Sequence, residues 1–173
     1  MSIINEAKKG NKEAFVTLIE QYKTQMYKTA KAILKNEDDV CDAIQEALMS
    51  CYKNIQNLKN EKYFKTWLIR ITINKCYDII EKNSSNNNKI EKAIGFEEEK
   101  TSNLENKIDL NMALKSIDND LRIVTVLYYY DDISVKEISD ILGIPIGTVK
   151  SKLSRARDKL YELLKQEEVN EVG

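Results

Sequence analysis

A chain of 173 residues with 42% hydrophobic and 32% charged side chains is a soluble globular protein of one domain or two small ones, and a single proline with five glycines makes it all-α. The absence of histidine removes the commonest general base, the hydrolytic triads and most zinc sites, and no glycine-rich phosphate loop is present, so the sequence predicts no enzyme, cofactor, metal or small-molecule substrate. A net charge of −1 is too low for a protein that holds nucleic acid by electrostatics alone.

The charge is unevenly spread. Residues 1–82 carry fourteen basic and eleven acidic groups, net +3, whereas 83–109 (four and six) and 110–173 (nine and eleven) are each net −2. With no signal peptide and no twenty-residue apolar run, the chain reads as cytoplasmic, with no direct membrane insertion. Cys41, Cys51 and Cys76 are odd in number and widely spaced, which fits reduced interior positions better than a disulfide or zinc framework.

Residues 3–9 read as a short first helix. From Asn11, the apolar positions Phe15, Leu18, Ile19, Tyr22, Met26, Ala30, Ile33 and Leu34 hold a helical period for more than six turns, which predicts one long core helix. Asn36 breaks and caps it. A second helix follows from about Glu37 to Lys53, with Val40, Ile44, Ala47, Leu48 and Cys51 inward and Asp39, Asp42, Gln45 and Glu46 outward. The helix dipole accounts for acids in the first turn, but not for Gln45 and Glu46 beyond it.

After a polar stretch, Asn54–Lys62, the segment Tyr63–Asp78 places Trp67, Leu68 and Ile71 toward the earlier helices and leaves Tyr63, Phe64, Lys65, Arg70, Asn74 and Lys75 as a mixed aromatic and basic face. Such a face gives a single strand bases to stack on and charge to follow; an ordinary amphipathic helix with core aromatics is the other reading. From Glu81 the apolar pattern fades through Asn83-Ser84-Ser85-Asn86-Asn87-Asn88 to Glu97-Glu98-Glu99, which predicts a flexible acidic linker over 83–107 between independent domains at 1–82 and 108–173. Beyond it, Leu110, Leu114 and Ile117 mark one helix, and Leu121–Tyr130 another that is apolar nearly all round, a candidate contact surface.

The last stretch is the most sharply specified. Ser134 and Glu137 form a capping box, Val135, Ile138, Ile141 and Leu142 are inward, and Gly143 can turn left-handed before Pro145 opens a second helix with Val149, Leu153, Ala156, Leu160 and Leu163 inward. Its other faces carry Thr148, Lys150, Ser151, Lys152, Ser154, Arg155, Arg157 and Lys159, and Ile144–Lys165 holds six cations against two acids. Two short helices about a glycine turn, the second basic, form a helix-turn-helix whose polar groups suit phosphates and base edges. On these features a stand-alone DNA-binding regulator and a protein-interaction adaptor with a merely solvated basic helix both remain open.

Three strings together go further. Asp39-Val40-Cys41-Asp42-Ala43-Ile44-Gln45-Glu46 resembles the acidic D-x-x-D-x-x-Q-E helix of sigma-factor region 2, and Phe64-Lys65-Thr66-Trp67-Leu68-Ile69-Arg70-Ile71 with Asn74 resembles its promoter-opening segment. Gly143-Ile144-Pro145-Ile146-Gly147-Thr148-Val149-Lys150-Ser151-Lys152-Leu153-Ser154-Arg155-Ala156-Arg157 resembles the region-4 helix-turn-helix. Order and spacing are similar to those of the extracytoplasmic-function (ECF) sigma factors of the sigma-70 family.

That resemblance implies two helical domains and a role in transcription initiation. Core RNA polymerase would be bound at its β′ clamp helices by Asp39, Asp42, Gln45 and Glu46, and at the β flap. Minus-10 promoter DNA would be met by Tyr63, Phe64, Trp67, Arg70, Asn74 and Lys75, and the minus-35 element by Thr148, Lys150, Ser151, Lys152, Ser154, Arg155 and Arg157. An anti-sigma factor, often membrane-bound in the family, would hold the chain inactive. Separately from the resemblance, the acidic run Glu97–Glu99 itself suggests a linker that mimics nucleic acid or threads a polymerase channel. Relatives commonly have arginine at the place of Lys150 and a bulkier residue at that of Ser154; lysine lacks arginine's fixed two-pronged contact to guanine.

Overall fold

The computed structural model describes residues 1–90 and 110–172, and all regular structure among them is helical. The first half contains α1 (Ile3–Lys8), α2 (Lys12–Glu20), α3 (Lys23–Ile33), α4 (Glu37–Asn54) and α5 (Phe64–Ile90); the second contains α6 (Leu110–Ser116), α7 (Asn119–Thr125), α8 (Val135–Leu142) and α9 (Ile146–Val172). A π-helical turn, Val126–Tyr130, continues α7.

Local chemistry sets most of the boundaries. The Asn11 side chain accepts from the Ala14 amide at 3.1 Å and that of Asn36 from the Asp39 amide at 2.8 Å, starting α2 and α4. Glu37, Asp38 and Asp39 then meet the positive end of α4. The single long helix expected over residues 11–34 is two, because the chain bends at Gln21 and Tyr22. The bend redirects one apolar stripe: Phe15, Leu18 and Ile19 of α2 join a core with Cys51, Phe64 and Leu68, while Ala30 and Ile33 of α3 join a second core.

That second core crosses between the halves. Ala30, Ile33, Val40, Ile69, Ile73 and Cys76 of the first half pack with Ile123, Val124, Leu127, Ile133, Ile138, Val149 and Leu153 of the second. Hydrogen bonds cross the same seam: Thr29 to Asp131 at 2.6 Å, Arg122 to the Ala32 carbonyl at 2.8 Å and Thr66 to Glu137 at 2.9 Å. The halves are therefore docked, not independent. Most of the apolar Leu121–Tyr130 run is not the open contact surface expected of it, since Leu121 and Ile123–Leu127 are all buried; Tyr128 and Tyr129 at its end are exposed. It is apolar nearly all round because it has neighbours on several sides: α3, α9 and the shared core.

Where a linker was expected from residue 83, the backbone of α5 stays helical to Ile90; the rest of that segment, including Glu97–Glu99, lies outside the described residues. Cys51 and Cys76 are buried as expected, their thiols pushed up to about 12 by desolvation, but Cys41 is exposed on the outer side of α4. No helix among the described residues is long and apolar enough to cross a membrane.

The helix-turn-helix forms as its sequence specifies. The Ser134 hydroxyl accepts from the Glu137 amide and the Glu137 carboxylate accepts from the Ser134 amide, both at 3.2 Å, and Gly143 ends α8 at φ +66° with its amide donating to the Ser139 carbonyl. A Cβ on Gly143 would meet nothing within 4 Å, so Gly143→Ala isolates the backbone cost. We expect a loss of about 1–2 kcal/mol, read from the urea midpoint at unchanged slope.

Candidate functional site

Three exposed faces carry the side chains singled out in the sequence. On α4, capped by Asn36, Asp42, Gln45 and Glu46 stand in solvent, while Asp39 is half-buried and accepts from the side chains of Asn36 at 2.8 Å and Asn83 at 3.1 Å. The three free groups occupy successive outward positions at spacings of three and four. Nothing in the first turn requires them, and the inward stripe beneath them, Val40, Ala43 and Ala47, is fully buried, so their direction is fixed.

On α5 the expected face is thinner than its sequence suggests. Tyr63 is exposed at the end of a short 3-10 turn, Glu61–Tyr63; Trp67, Arg70 and Asn74 follow on one stripe, with Arg70 and Asn74 in solvent and Trp67 half-buried. Phe64 does not belong to it. It is 1% exposed, its ring 5.4 Å from that of Tyr22 and 6.0 Å from that of Trp67, because it lies one turn before Leu68 on the inward side. Lys75 is half-buried and pairs with Asp78 at 3.5 Å. Lys65 and Thr66 are engaged by the other half: the Lys65 amine is 3.5 Å from the Asp132 carbonyl, and Thr66 donates to Glu137.

On α9 the outward residues are Lys150, Ser151, Ser154, Arg155 and Arg157, with Thr148 half-buried beneath them. The hydroxyl of Ser151 donates to the Thr148 carbonyl at 3.0 Å, and the Arg155 guanidinium to the Ser151 carbonyl at 3.4 Å. Lys152 points elsewhere. It pairs with Asp120, whose carboxyl that contact holds below its ordinary range, and one heptad on Lys159 pairs with Asp118 at 2.7 Å. Both lysines flank the buried stripe Val149, Leu153 and Ala156, so they clamp α9 to the start of α7 and are not part of the outward face.

Sequence reasoning passed over the residues that join the halves. Arg122 was the lone cation in an apolar run, and its guanidinium reaches the Ala32 carbonyl besides those of Leu114, Lys115 and Ile117, where a positive charge suits the end of α6. Asp131 is fully buried against Thr29.

The sigma-70 region 2 family model matches residues 18–86 and the sigma-70 region 4 model residues 108–160. The ECF RNA polymerase sigma factor SigW of Bacillus subtilis (strain 168) is 30% identical over 94% of this chain and 95% of its own length, and the ECF RNA polymerase sigma-E factor of Escherichia coli (strain K12) is 30% identical over 91% and 90%. The chain belongs to the ECF sigma factors. It is therefore a transcription initiation factor of the sigma-70 family and not an enzyme. Solved relatives share the fold. CnrH in complex with the cytosolic domain of CnrY matches with TM-score 0.67 at 23% identity, covering 95% of this chain and 96% of that one. The sigma factor RpoE in complex with the anti-sigma factor NepR from Bartonella quintana gives 0.69 at 24%, covering 86% and 97%.

The two aromatics at the head of α5 separate cleanly in stability. Phe64→Ala should lose about 3–5 kcal/mol, whereas Tyr63→Ala should stay within about 0.5 kcal/mol of the parent, both measured by urea unfolding.

Proposed function

We propose that this ECF sigma factor divides its work among the three exposed faces. The outer face of α4, Asp42, Gln45 and Glu46 with Asp39 at its edge, binds the polymerase β′ clamp helices. The stripe Tyr63, Trp67, Arg70 and Asn74, with Lys75 beside it, holds minus-10 DNA as the strands part; Phe64 supports it from the core. Lys150, Ser151, Ser154, Arg155 and Arg157 enter the major groove at minus-35, positioned by Thr148, while the second half also rests on the β flap. On this reading the region-2 unit spans 1–82 and the region-4 unit 108–173, a division that the matched ranges 18–86 and 108–160 support.

The observation that carries it is the pairing of these faces with so little charge. Separating base pairs gives up about 1.4 kcal/mol of stacking per step, and extruding a base costs a few kcal/mol more. A first half of net +3 and a second of net −2 cannot supply that by phosphate attraction. Binding to polymerase must supply it, with exposed aromatics and cations trapping bases that open transiently. The solved relatives in complex with NepR and CnrY support control by an anti-sigma factor, which would occupy one of these faces.

Run-off transcription with purified core polymerase tests the reading. Start sites should appear only when chain and core are both present, and alanine at Asp42, Gln45 and Glu46 together should abolish holoenzyme formation in gel filtration; start sites without the chain, or intact holoenzyme with the triple variant, would contradict it. On promoter DNA, Lys150→Ala or Arg155→Ala should each reduce the slope of log K against log salt by about one. Lys152→Ala, whose amine faces Asp120, should leave that slope unchanged.

A further inference from the structure

The seam between the halves contains a group that a purely structural interface would not choose. Asp131, on the second half, is fully buried; one carboxylate oxygen accepts from the Thr29 hydroxyl of α3 at 2.6 Å and the other has no hydrogen-bond partner. The cations that face it do not pair with it. Lys28 of α3 sits 4.6 Å from the Tyr130 ring centroid, and Lys65 of α5 points at the Asp132 carbonyl. A half-satisfied buried carboxylate is costly in its charged form and far less so when neutral or hydrated.

The seam also closes a geometry that promoter binding needs open. The two promoter elements, about 25 base pairs apart by their names, are separated by ~85 Å at ~3.4 Å per base pair. A compact chain of this length has a radius of gyration of only ~16 Å. Thr66, between Tyr63 and Trp67 on the minus-10 face, is meanwhile bonded to Glu137 at the head of the helix-turn-helix. The docked chain cannot reach both elements at once.

We propose that the docked arrangement is a latent state of this sigma factor and that Asp131 is its latch: the halves part when the carboxylate is charged and stay shut when it is neutral. This rests on the promoter reading above for its purpose, though not for its mechanism. Burial pushes the Asp131 carboxyl up to about 6, against the opposing hydrogen bond from Thr29 and the fields of Lys65 and Lys28. The sign is then fixed. A group raised in the closed state favours closure fully below its ordinary value of 3.8, and that contribution is lost as pH rises through about 6. Glu137, the other carboxylate at the seam, is subject to burial but held below its ordinary 4.5 by its Ser134 and Thr66 donors, so it stays ionised above pH 5 and does not contribute to the change.

The test uses the free full-length chain. Ile123 packs in the shared core and is 7% exposed, so Ile123→Cys in a Cys41→Ser, Cys76→Ala background, which removes the exposed thiol and the native thiol of that same core, places a thiol that reacts only when the halves part. Its labelling rate with a pyridyl disulfide is measured in that parent and with Asp131→Asn added; the quotient of the two rates cancels thiol ionisation. Between pH 5 and pH 7.5 the quotient should rise about tenfold, with circular dichroism showing equal helix content. Thr29→Val, which removes the latch's donor, should speed labelling further at pH 7.5. A quotient flat within twofold, or a Thr29→Val rate equal to the parent's, overturns the latch. With neither polymerase nor DNA present, that failure would leave the promoter reading standing on its own transcription test.

Discussion

An apolar segment as continuous as Leu121–Leu127 cannot be left in water, and in this chain the first half covers it. Helix α3 lies along α7 and the π-helical turn, and Ala30 and Ile33 enter the same core as Ile123, Val124 and Leu127. The rest of the arrangement follows. Burying α7 against α3 brings Asp131 onto Thr29, sets Arg122 on the Ala32 carbonyl and carries the head of α8 to Thr66. The exposed polar faces of α4, α5 and α9 are what remains on the outside, each fixed in direction by the buried stripe beneath it.

The same constraint limits the charge the chain can turn toward nucleic acid. Its cations are partly spent on its own fold: Lys152 and Lys159 clamp α9 to α7, Arg122 closes the end of α6, and Lys31 pairs with Glu37. The groups left to face DNA number only a handful on each half, and in the docked state they cannot reach two distant elements together. Selectivity then depends on a partner large enough to hold the halves apart, as a sigma factor's polymerase is.

The parts of this that the sequence made legible are those decided within a few residues. The Ser134–Glu137 box, the left-handed Gly143 and the restart at Pro145 were readable because cap and turn chemistry are local, and the outward positions on α4 followed from helical period alone. What escaped depends on surfaces brought together from far along the chain. The bend at Gln21–Tyr22 carries no breaker residue; beyond it α3 leaves the core of α2, which Met26 still joins, for the second core, which Ala30 and Ile33 enter. Phe64 and Lys152 were assigned to DNA by residue type and motif, yet Phe64 lies over Tyr22 and Lys152 over Asp120. The asparagine-rich start of the expected linker continues α5 to Ile90, and the all-round apolar helix that looked like a free surface is the centre of the molecule.

The central claim is that these faces become selective for DNA only in the hands of the polymerase, and nuclease footprinting on a promoter mapped by its start site tests it most directly. The account predicts no protection by the free chain at any concentration that leaves nonspecific DNA bare, and protection over both the minus-35 and minus-10 elements once core polymerase is added. Sequence-selective protection by the free chain alone would contradict it.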